Sequence, residues 1–254
     1  MLRDFRGDAF DVIIQAGQSN SQGSGLGKAA RPYGQKDSVW RMDGDLTLSA
    51  EREDTAGNEI IGNFVHSFAD EYIKNGLLKE GRGLLILHAA VGGTGFTDGR
   101  WGPKDDLYLR MLTMAETALG LNGNNRLKAV LWHQGETDAE YLCPFGTHYN
   151  NLSVLVNGIR TAFNAKGLPF VAGDFVQHWK GENAGKCEPV VSAIRKVCAD
   201  MPPAAFVETG GLNSNDQEIG NGDSIHFSRA ALYEMGVRYF EAYRKAASQT
   251  DAPC

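Results

Sequence analysis

The chain has 254 residues, of which 42% are hydrophobic and 22% are charged. These proportions are ordinary for a soluble globular protein that buries its core without disulfides or metal. The formal net charge of −6 excludes a general electrostatic nucleic-acid binder, which needs a basic face. No apolar run approaches the roughly 18 residues of a membrane span, so we expect one soluble domain over residues 1–254 that acts without a membrane.

The N-terminal segment has no apolar stretch before the first predicted strand. We therefore expect a cytoplasmic protein without a signal peptide, although a trimmed secreted protein would start in the same way. The four cysteines (Cys143, Cys187, Cys198 and Cys254) form no CxxC pair and no zinc spacing with histidine, so we expect reduced thiols. For Cys187 and Cys198 both a disulfide and a shared helix face are open.

Apolar runs of strand length alternate with stretches whose apolar residues recur at helical spacing. In chain order the prediction is strand 11–16, loop 23–57, helix 60–75, strand 83–91, helix 105–121, strand 127–133, helix 149–166, strand 169–176, helix 189–199, strand 205–208 and helix 228–246. The alternation predicts a three-layer, doubly wound α/β sandwich with a five-stranded, mostly parallel, flavodoxin-like sheet. We expect the long loop 23–57 to line the binding site.

Polar residues follow three of these strands at the ends where such sheets bind ligands. Ser19 follows the first strand, Gly92 and Gly93 follow the second, and Gln134 and Glu136 follow the third. Because parallel strands end at one edge of a sheet, we expect these residues to lie close together.

Ser19 stands where a helix can begin, so its hydroxyl can project as a nucleophile while its N–H faces an incoming anion. A helix N-cap serine occupies the same kind of place. Asp223 and His226 are three residues apart, a spacing that puts both on one side of a helical turn. The aspartate can then orient the ring while the free nitrogen takes the serine proton, although a surface pair has the same spacing. The order Ser, Asp, His favours a serine hydrolase.

Backbone N–H groups can stabilise the oxyanion that forms during such an attack. The candidate donors are the N–H of Ser19, those of Gly92 and Gly93, and the side-chain amide of Gln134. A turn that requires positive φ is the alternative for the two glycines.

A carboxylate beside a developing negative charge is costly unless it is paired, which makes Glu136 the least expected residue of the set. We favour a contact with His226, as a second orienting carboxylate. Hydrogen bonds to the backbone near Ser19, and a solvated loop position, remain open.

Four further side chains are predicted to contact the substrate: Gln18, Asn20, Trp101 and Trp179. The tryptophans can stack on sugar faces, and packing in the core is an equal alternative for them. The six histidines show no metal-ligand spacing, so we expect neither a metal nor a cofactor.

Four blocks of this chain, in order, resemble a known family. They are Gly17-Gln18-Ser19-Asn20, Ala90-Val91-Gly92-Gly93-Thr94 with Trp101 after it, Trp132-His133-Gln134-Gly135-Glu136-Thr137-Asp138, and Asp223-x-x-His226. The set is similar to the SGNH hydrolase superfamily and, within it, to the sialate O-acetylesterase and acetylxylan esterase branch, carbohydrate esterase family 6. Ser21 departs from the methionine usual there, and the stretch from Thr94 to Trp101 is longer than usual.

The resemblance implies Ser19 as nucleophile, His226 as base, Asp223 as its partner and Glu136 as an additional catalytic carboxylate. With the residues above, it predicts a metal-independent serine esterase that removes acetyl groups from carbohydrate hydroxyls. An esterase or thioesterase acting on lipid or xenobiotic esters and a non-catalytic carbohydrate-binding relative are the alternatives.

Overall fold

The structure is a computed structural model that describes residues 4–249; Cys254 lies outside these residues. The strands are β1 (Ala9–Gly17), β2 (Val39–Met42), β3 (Leu48–Ala50), β4 (Asp54–Ala56), β5 (Glu59–Ile61), β6 (Arg82–His88), β7 (Arg126–His133), β8 (Phe170–Gly173) and β9 (Ala204–Val207). The helices are α1 (Ser19–Gln22), α2 (Phe64–Lys74), α3 (Asp106–Leu121), α4 (Glu136–Glu140), α5 (Phe145–Ala162), α6 (Gln177–Glu182), α7 (Ala184–Asp200), α8 (Asn215–Ile219) and α9 (Arg229–Ser248).

The central sheet has seven strands in the order β3-β2-β6-β1-β7-β8-β9, which confirms the predicted α/β class and corrects the predicted five strands. Only β3 runs antiparallel to its neighbour within this sheet. The two extra strands lie in the segment predicted as a loop. They have four and three residues, too few for a readable alternation, and pairing of β2 with the buried β6 brings them into the sheet.

One helix starts later than predicted, because a strand occupies part of the predicted range. The start predicted at Ile60 for the helix 60–75 is wrong, because Glu59–Ile61 pairs with β4 in a hairpin. Helix α2 begins at Phe64 instead, where the Asn63 side chain accepts a hydrogen bond from the Val65 N–H. The short helices of four to six residues escaped prediction because they complete too few turns to show a period.

Two groups of helices cover the sheet. Helix α2 packs on α9, while α5 packs on both α3 and α7. Strand β1 lies between them and is buried from Phe10 to Gly17, as expected for a parallel strand covered on both faces. None of the helices in residues 4–249 is both long and apolar enough to cross a membrane.

Strands β6, β1 and β7 are neighbours and end at the same edge. Gly17, the last residue of β1, has φ 122° and a Cβ there would lie 2.0 Å from the His133 carbonyl oxygen. Only glycine fits this close approach. The chain leaving β1 therefore passes directly over the end of β7.

Gly236→Ala tests the close packing of α9 on α2. A Cβ at Gly236 would lie 2.0 Å from the Phe64 carbonyl oxygen and 2.1 Å from Ser67 Oγ. We expect the free energy of unfolding in urea to fall by about 1–3 kcal/mol or more because of overpacking. The matched control is Gly120→Ala in α3, where a Cβ meets nothing within 4 Å; there the better helix propensity of alanine should add about 0.5–1 kcal/mol. Equal effects of the two substitutions would contradict the packing.

Candidate active site

Ser19 begins the short helix α1 immediately beyond β1. The Gln18 N–H donates to the His133 carbonyl oxygen at 2.9 Å, and the N–H groups of Ser21 and Gln22 both donate to the Gln18 carbonyl oxygen at 2.8 Å. These bonds fix the turn from strand to helix. Ser19 is partly exposed, so its hydroxyl can be reached from solvent.

Ser19, His226 and Asp223 meet at the edge of the sheet, as their order along the chain predicted. His226 Nε2 lies 2.9 Å from Ser19 Oγ, although 207 positions separate the two residues. The other ring nitrogen, Nδ1, lies 3.0 and 2.9 Å from the two carboxylate oxygens of Asp223. A hydroxyl, an imidazole and a carboxylate in this series can pass a proton away from the hydroxyl as it attacks.

Asn215, which sequence reasoning missed, holds Asp223 in place. Its Nδ2 donates to Asp223 Oδ2 at 2.9 Å, and its Oδ1 accepts from the Leu26 N–H at 2.8 Å. Burial opposes ionisation of Asp223, but the hydrogen bonds from Asn215 and His226 hold the pKa of this carboxyl below its ordinary value. The sequence signal present here, Ser214 followed three residues later by Gln217, marks only the start of α8 as a capping box.

Gly92 lies directly against Ser19. A Cβ at Gly92 would lie 3.6 Å from Ser19 Cβ, and the Gly92 N–H donates to Gln22 Oε1 at 2.8 Å. Gly93 follows with φ 68°, the left-handed conformation that the turn alternative required. Of the two predicted glycine donors, the structure places Gly92 beside Ser19.

The favoured contact between Glu136 and His226 is corrected by the structure. Both ring nitrogens of His226 already face Ser19 and Asp223, and Glu136 Oε1 instead accepts from Asn20 Nδ2 at 2.8 Å. Glu136 also lies 3.5 Å from His133 Nε2. Burial opposes its ionisation, but the neighbouring His133 imidazole and the hydrogen bond from Asn20 keep the pKa of Glu136 below its ordinary value.

The Asn20 side chain hydrogen-bonds the backbone on both sides of His226. Its Nδ2 donates to the Ile225 carbonyl oxygen at 3.1 Å, and its Oδ1 accepts from the Phe227 N–H at 3.0 Å. The same Nδ2 donates to Glu136, which fixes the orientation of the amide. Asn20 is fully buried, so the structure contradicts its predicted contact with substrate and gives it a positioning role.

Three more predicted contacts fail because the side chains turn inward. Gln18 is 3% exposed, and its Oε1 accepts from the N–H groups of Gly135 and Thr137 where α4 begins. Trp101 is fully buried and packs edge-on against Trp132. Trp179 is 6% exposed and packs against Phe175. Each indole has found an aromatic partner in the core, which was the alternative stated for it.

Gln134 is also turned away from the predicted oxyanion position. Its Nε2 donates to Asp138 Oδ2 at 2.9 Å, one helical turn further on, and the residue is 1% exposed. Asp138 in turn accepts from the N–H groups of Phe96 and Thr97 and lies 3.2 Å from His148. Although burial opposes it, the neighbouring His148 imidazole and the hydrogen bonds from Thr97 lower the pKa of Asp138 to about 2.

A polar cavity of about 240 Å³ is lined by Gln22 and by Val91, the residue before Gly92. Its lining consists of Gln22, Arg41, Asp43, Gly44, Asp54, His88, Ala90, Val91 and Arg110. Four of these residues, Arg41, Asp43, Gly44 and Asp54, come from the segment 23–57 that we expected to line the binding site, although the sequence did not single out these four. Among residues 4–249, no group of three or more His, Cys, Asp and Glu side chains is arranged to hold a metal ion.

The three cysteines of the described residues, Cys143, Cys187 and Cys198, are free and buried. Cys187 and Cys198 both lie on α7, so the shared-helix alternative holds for this pair.

A family model described as carbohydrate esterase, sialic acid-specific acetylesterase, matches residues 9–245. A probable carbohydrate esterase of Arabidopsis thaliana is 26% identical over 171 residues, which span 67% of this chain and 59% of the plant protein. The aligned region thus spans somewhat under two thirds of this relative's length.

Solved structures share the fold. NanS superposes with a TM-score of 0.78 at 19% identity, covering 96% of this chain and 99% of that one. An Arabidopsis thaliana protein gives 0.72 at 22% identity, with 92% and 97% covered. A carbohydrate acetylesterase from Xanthomonas citri gives 0.61 at 16% identity, with 94% and 57% covered. These likenesses support the α/β fold class.

Glu136→Gln tests whether Glu136 acts through Asn20. We expect kcat for an aryl acetate to fall about tenfold, because a charge-assisted hydrogen bond to Asn20 is weakened. The acidic limb of the pH–rate profile should stay in place, since Glu136 does not touch His226. Asp223→Asn is the comparison variant and should lose far more activity, on the order of 10⁴-fold, through the wrong ring tautomer. An acidic limb displaced to lower pH in Glu136→Gln would indicate that Glu136 contacts His226 directly, and it would contradict the role through Asn20.

Asp138→Asn tests the buried carboxylate. The pKa of Asp138 is lowered from 3.8 to about 2 in the folded protein. Ionised Asp138 therefore stabilises the fold above pH 3.8, and this contribution is lost as the pH falls through about 2. The loss of unfolding free energy in Asp138→Asn should therefore shrink by about 2 kcal/mol between pH 6 and pH 2. Glu116→Gln, on the exposed face of α3, is the control. A constant difference between Asp138→Asn and the natural chain at all pH values would contradict the assignment.

Proposed function

Because this chain belongs to the carbohydrate esterase family of sialic acid-specific acetylesterases, we propose that it hydrolyses acetyl esters on carbohydrate hydroxyls with Ser19 as nucleophile. One observation carries the proposal. Ser19 Oγ, His226 and Asp223 form a continuous hydrogen-bonded series at the carboxyl edge of a parallel sheet, where such folds bind ligands.

The first half of the reaction forms an acetyl-enzyme. His226 Nε2 takes the proton of Ser19 Oγ as the oxygen attacks the ester carbonyl carbon. Asp223 accepts from Nδ1–H, which holds the tautomer and stabilises the imidazolium. The tetrahedral oxyanion receives hydrogen bonds from the N–H groups of Ser19 and Gly92. His226 then returns its proton to the sugar oxygen as the C–O bond breaks.

The second half repeats these steps with water in place of the sugar. His226 removes a proton from water, the hydroxide attacks the acetyl carbon, and Ser19 Oγ leaves with the proton that His226 supplies. Acetate departs and the resting site is restored. No step requires a metal or a cofactor.

An acetylated sugar suits the surroundings of this site better than a lipid ester. The polar cavity is lined by charged and amide side chains, including Arg41, Asp43 and Gln22. Such groups hydrogen-bond hydroxyls and leave an acyl chain without apolar contacts. The carbohydrate acetylesterase from Xanthomonas citri, named above among the structures of the same fold, agrees with this choice.

Ser19→Ala should abolish turnover of p-nitrophenyl acetate and of an O-acetylated sugar while thermal unfolding stays cooperative. Loss of the nucleophile typically leaves only about 10³-fold catalysis over water, from the oxyanion donors and binding alone. A chelator should not change the rate of the unmodified protein. Activity of the Ser19→Ala protein close to that of the natural chain would show that another group is the nucleophile.

A further inference from the structure

The Gln22 side chain occupies the hydrogen bond that an oxyanion would need. Gln22 Oε1 accepts from the Gly92 N–H at 2.8 Å, and a Cβ at Gly92 would lie 3.2 Å from Gln22 Oε1 and 3.6 Å from Ser19 Cβ, so the Gln22 amide and Ser19 flank the same glycine. One N–H placed for the oxyanion cannot serve both acceptors at full strength. An ester carbonyl that enters in the productive position therefore competes with the Gln22 amide.

Hydrogen bonds hold the backbone of Gln22 in place, so its side chain can rotate without moving the backbone. Its carbonyl oxygen accepts from Asn63 Nδ2 at 2.9 Å, and its N–H donates to the Gln18 carbonyl oxygen. The residue as a whole is exposed. Rotation about its side-chain bonds therefore leaves the turn that carries Ser19 undisturbed.

The cavity that Gln22 lines gives its side-chain amide a place into which it can turn. Gln22 lines the polar cavity of about 240 Å³ together with Arg41, Asp43, Asp54 and Arg110. The hydroxyls of a sugar seated among these groups can hydrogen-bond the displaced amide. A small aryl ester has no hydroxyl to offer it.

We propose that Gln22 covers the Gly92 oxyanion donor in the resting enzyme, is displaced by the ester oxygen that takes this N–H, and is then hydrogen-bonded by hydroxyls of the substrate, which makes it a specificity-determining residue. The inference rests on the proposed function, since it takes Gly92 N–H as an oxyanion donor to Ser19 chemistry. Every ester must break the bond between Gln22 and Gly92, and only a polyhydroxylated one supplies a replacement.

The test compares Gln22→Met, which keeps the length of the side chain and removes its amide, on two substrates. For p-nitrophenyl acetate we expect kcat/KM to rise two- to tenfold, which is about 0.4–1.4 kcal/mol at 1.36 kcal/mol per tenfold. That is the range expected for one hydrogen bond that no longer has to be broken. For a mono-O-acetylated hexose with free neighbouring hydroxyls, kcat/KM should change little, because the bond to Gly92 and its replacement are lost together, so the sugar-to-aryl ratio drops about two- to tenfold.

Gln22→Glu is the companion variant. It places a carboxylate acceptor at the Gly92 N–H and a negative charge beside the oxyanion, so both substrates should react more slowly. A fall in aryl acetate turnover in Gln22→Met would mean that the amide supports the Gly92 segment, and this result would overturn the proposal. Equal changes for both substrates in Gln22→Met, or unchanged rates in Gln22→Glu, would overturn it as well.

A crystal structure of the adduct with diethyl p-nitrophenyl phosphate separates this proposal from the proposed function. The expected adduct on Ser19 has its phosphoryl oxygen bonded to the Gly92 N–H and the Gln22 amide turned toward the cavity. Gln22 Oε1 still bonded to Gly92 in the adduct would refute the displacement alone. Failure of the reagent to modify Ser19, with Ser19→Ala still active, would instead refute the proposed function.

Discussion

The geometry of the candidate site depends on the buried side-chain amide of Asn20. Asn20 follows Ser19 in the chain, contacts the backbone on both sides of His226, and is held by Glu136 from the helix beyond β7. Three segments that are far apart in sequence are thereby tied by one amide. If the amide were flipped, its NH₂ would face the Phe227 N–H and its oxygen would face two acceptors, so only one orientation satisfies all three partners. Ser19 and His226 are positioned relative to each other by this constraint.

Buried carboxylates complete the support, and each is ionised because specific partners offset its burial. Glu136 has Asn20 and His133, while Asp138 has His148 and the backbone of Thr97. An unpaired buried charge would cost several kcal/mol. The same partners make each carboxylate directional, so it fixes the loop or the amide that donates to it. The segment after β6 and the start of α4 are held in this way around Ser19.

The parts of the fold that the sequence predicted are those decided by local pattern. β1, β6 and β7 are long buried runs, and their shared edge follows from parallel pairing, so the convergence of Ser19 with His226 was within reach. The direction of a side chain after a strand was not. Gln134 turns inward because Asp138 lies one turn further along, and Trp101 turns inward because Trp132 lies behind it. Such choices depend on tertiary partners that leave no periodicity in the sequence.

The short helix α1 shows why consecutive polar residues cannot be given one shared role from the sequence. In α1, Ser19 and Gln22 are three apart and share the side that faces His226 and Gly92. Asn20 and Ser21, between them, are buried on the other side. Four consecutive polar residues thus divide into two that meet solvent and two that join the core. The pattern of polar types is the same in both pairs, and only the helical turn separates Ser19 and Gln22 from the buried Asn20, which holds the backbone around His226.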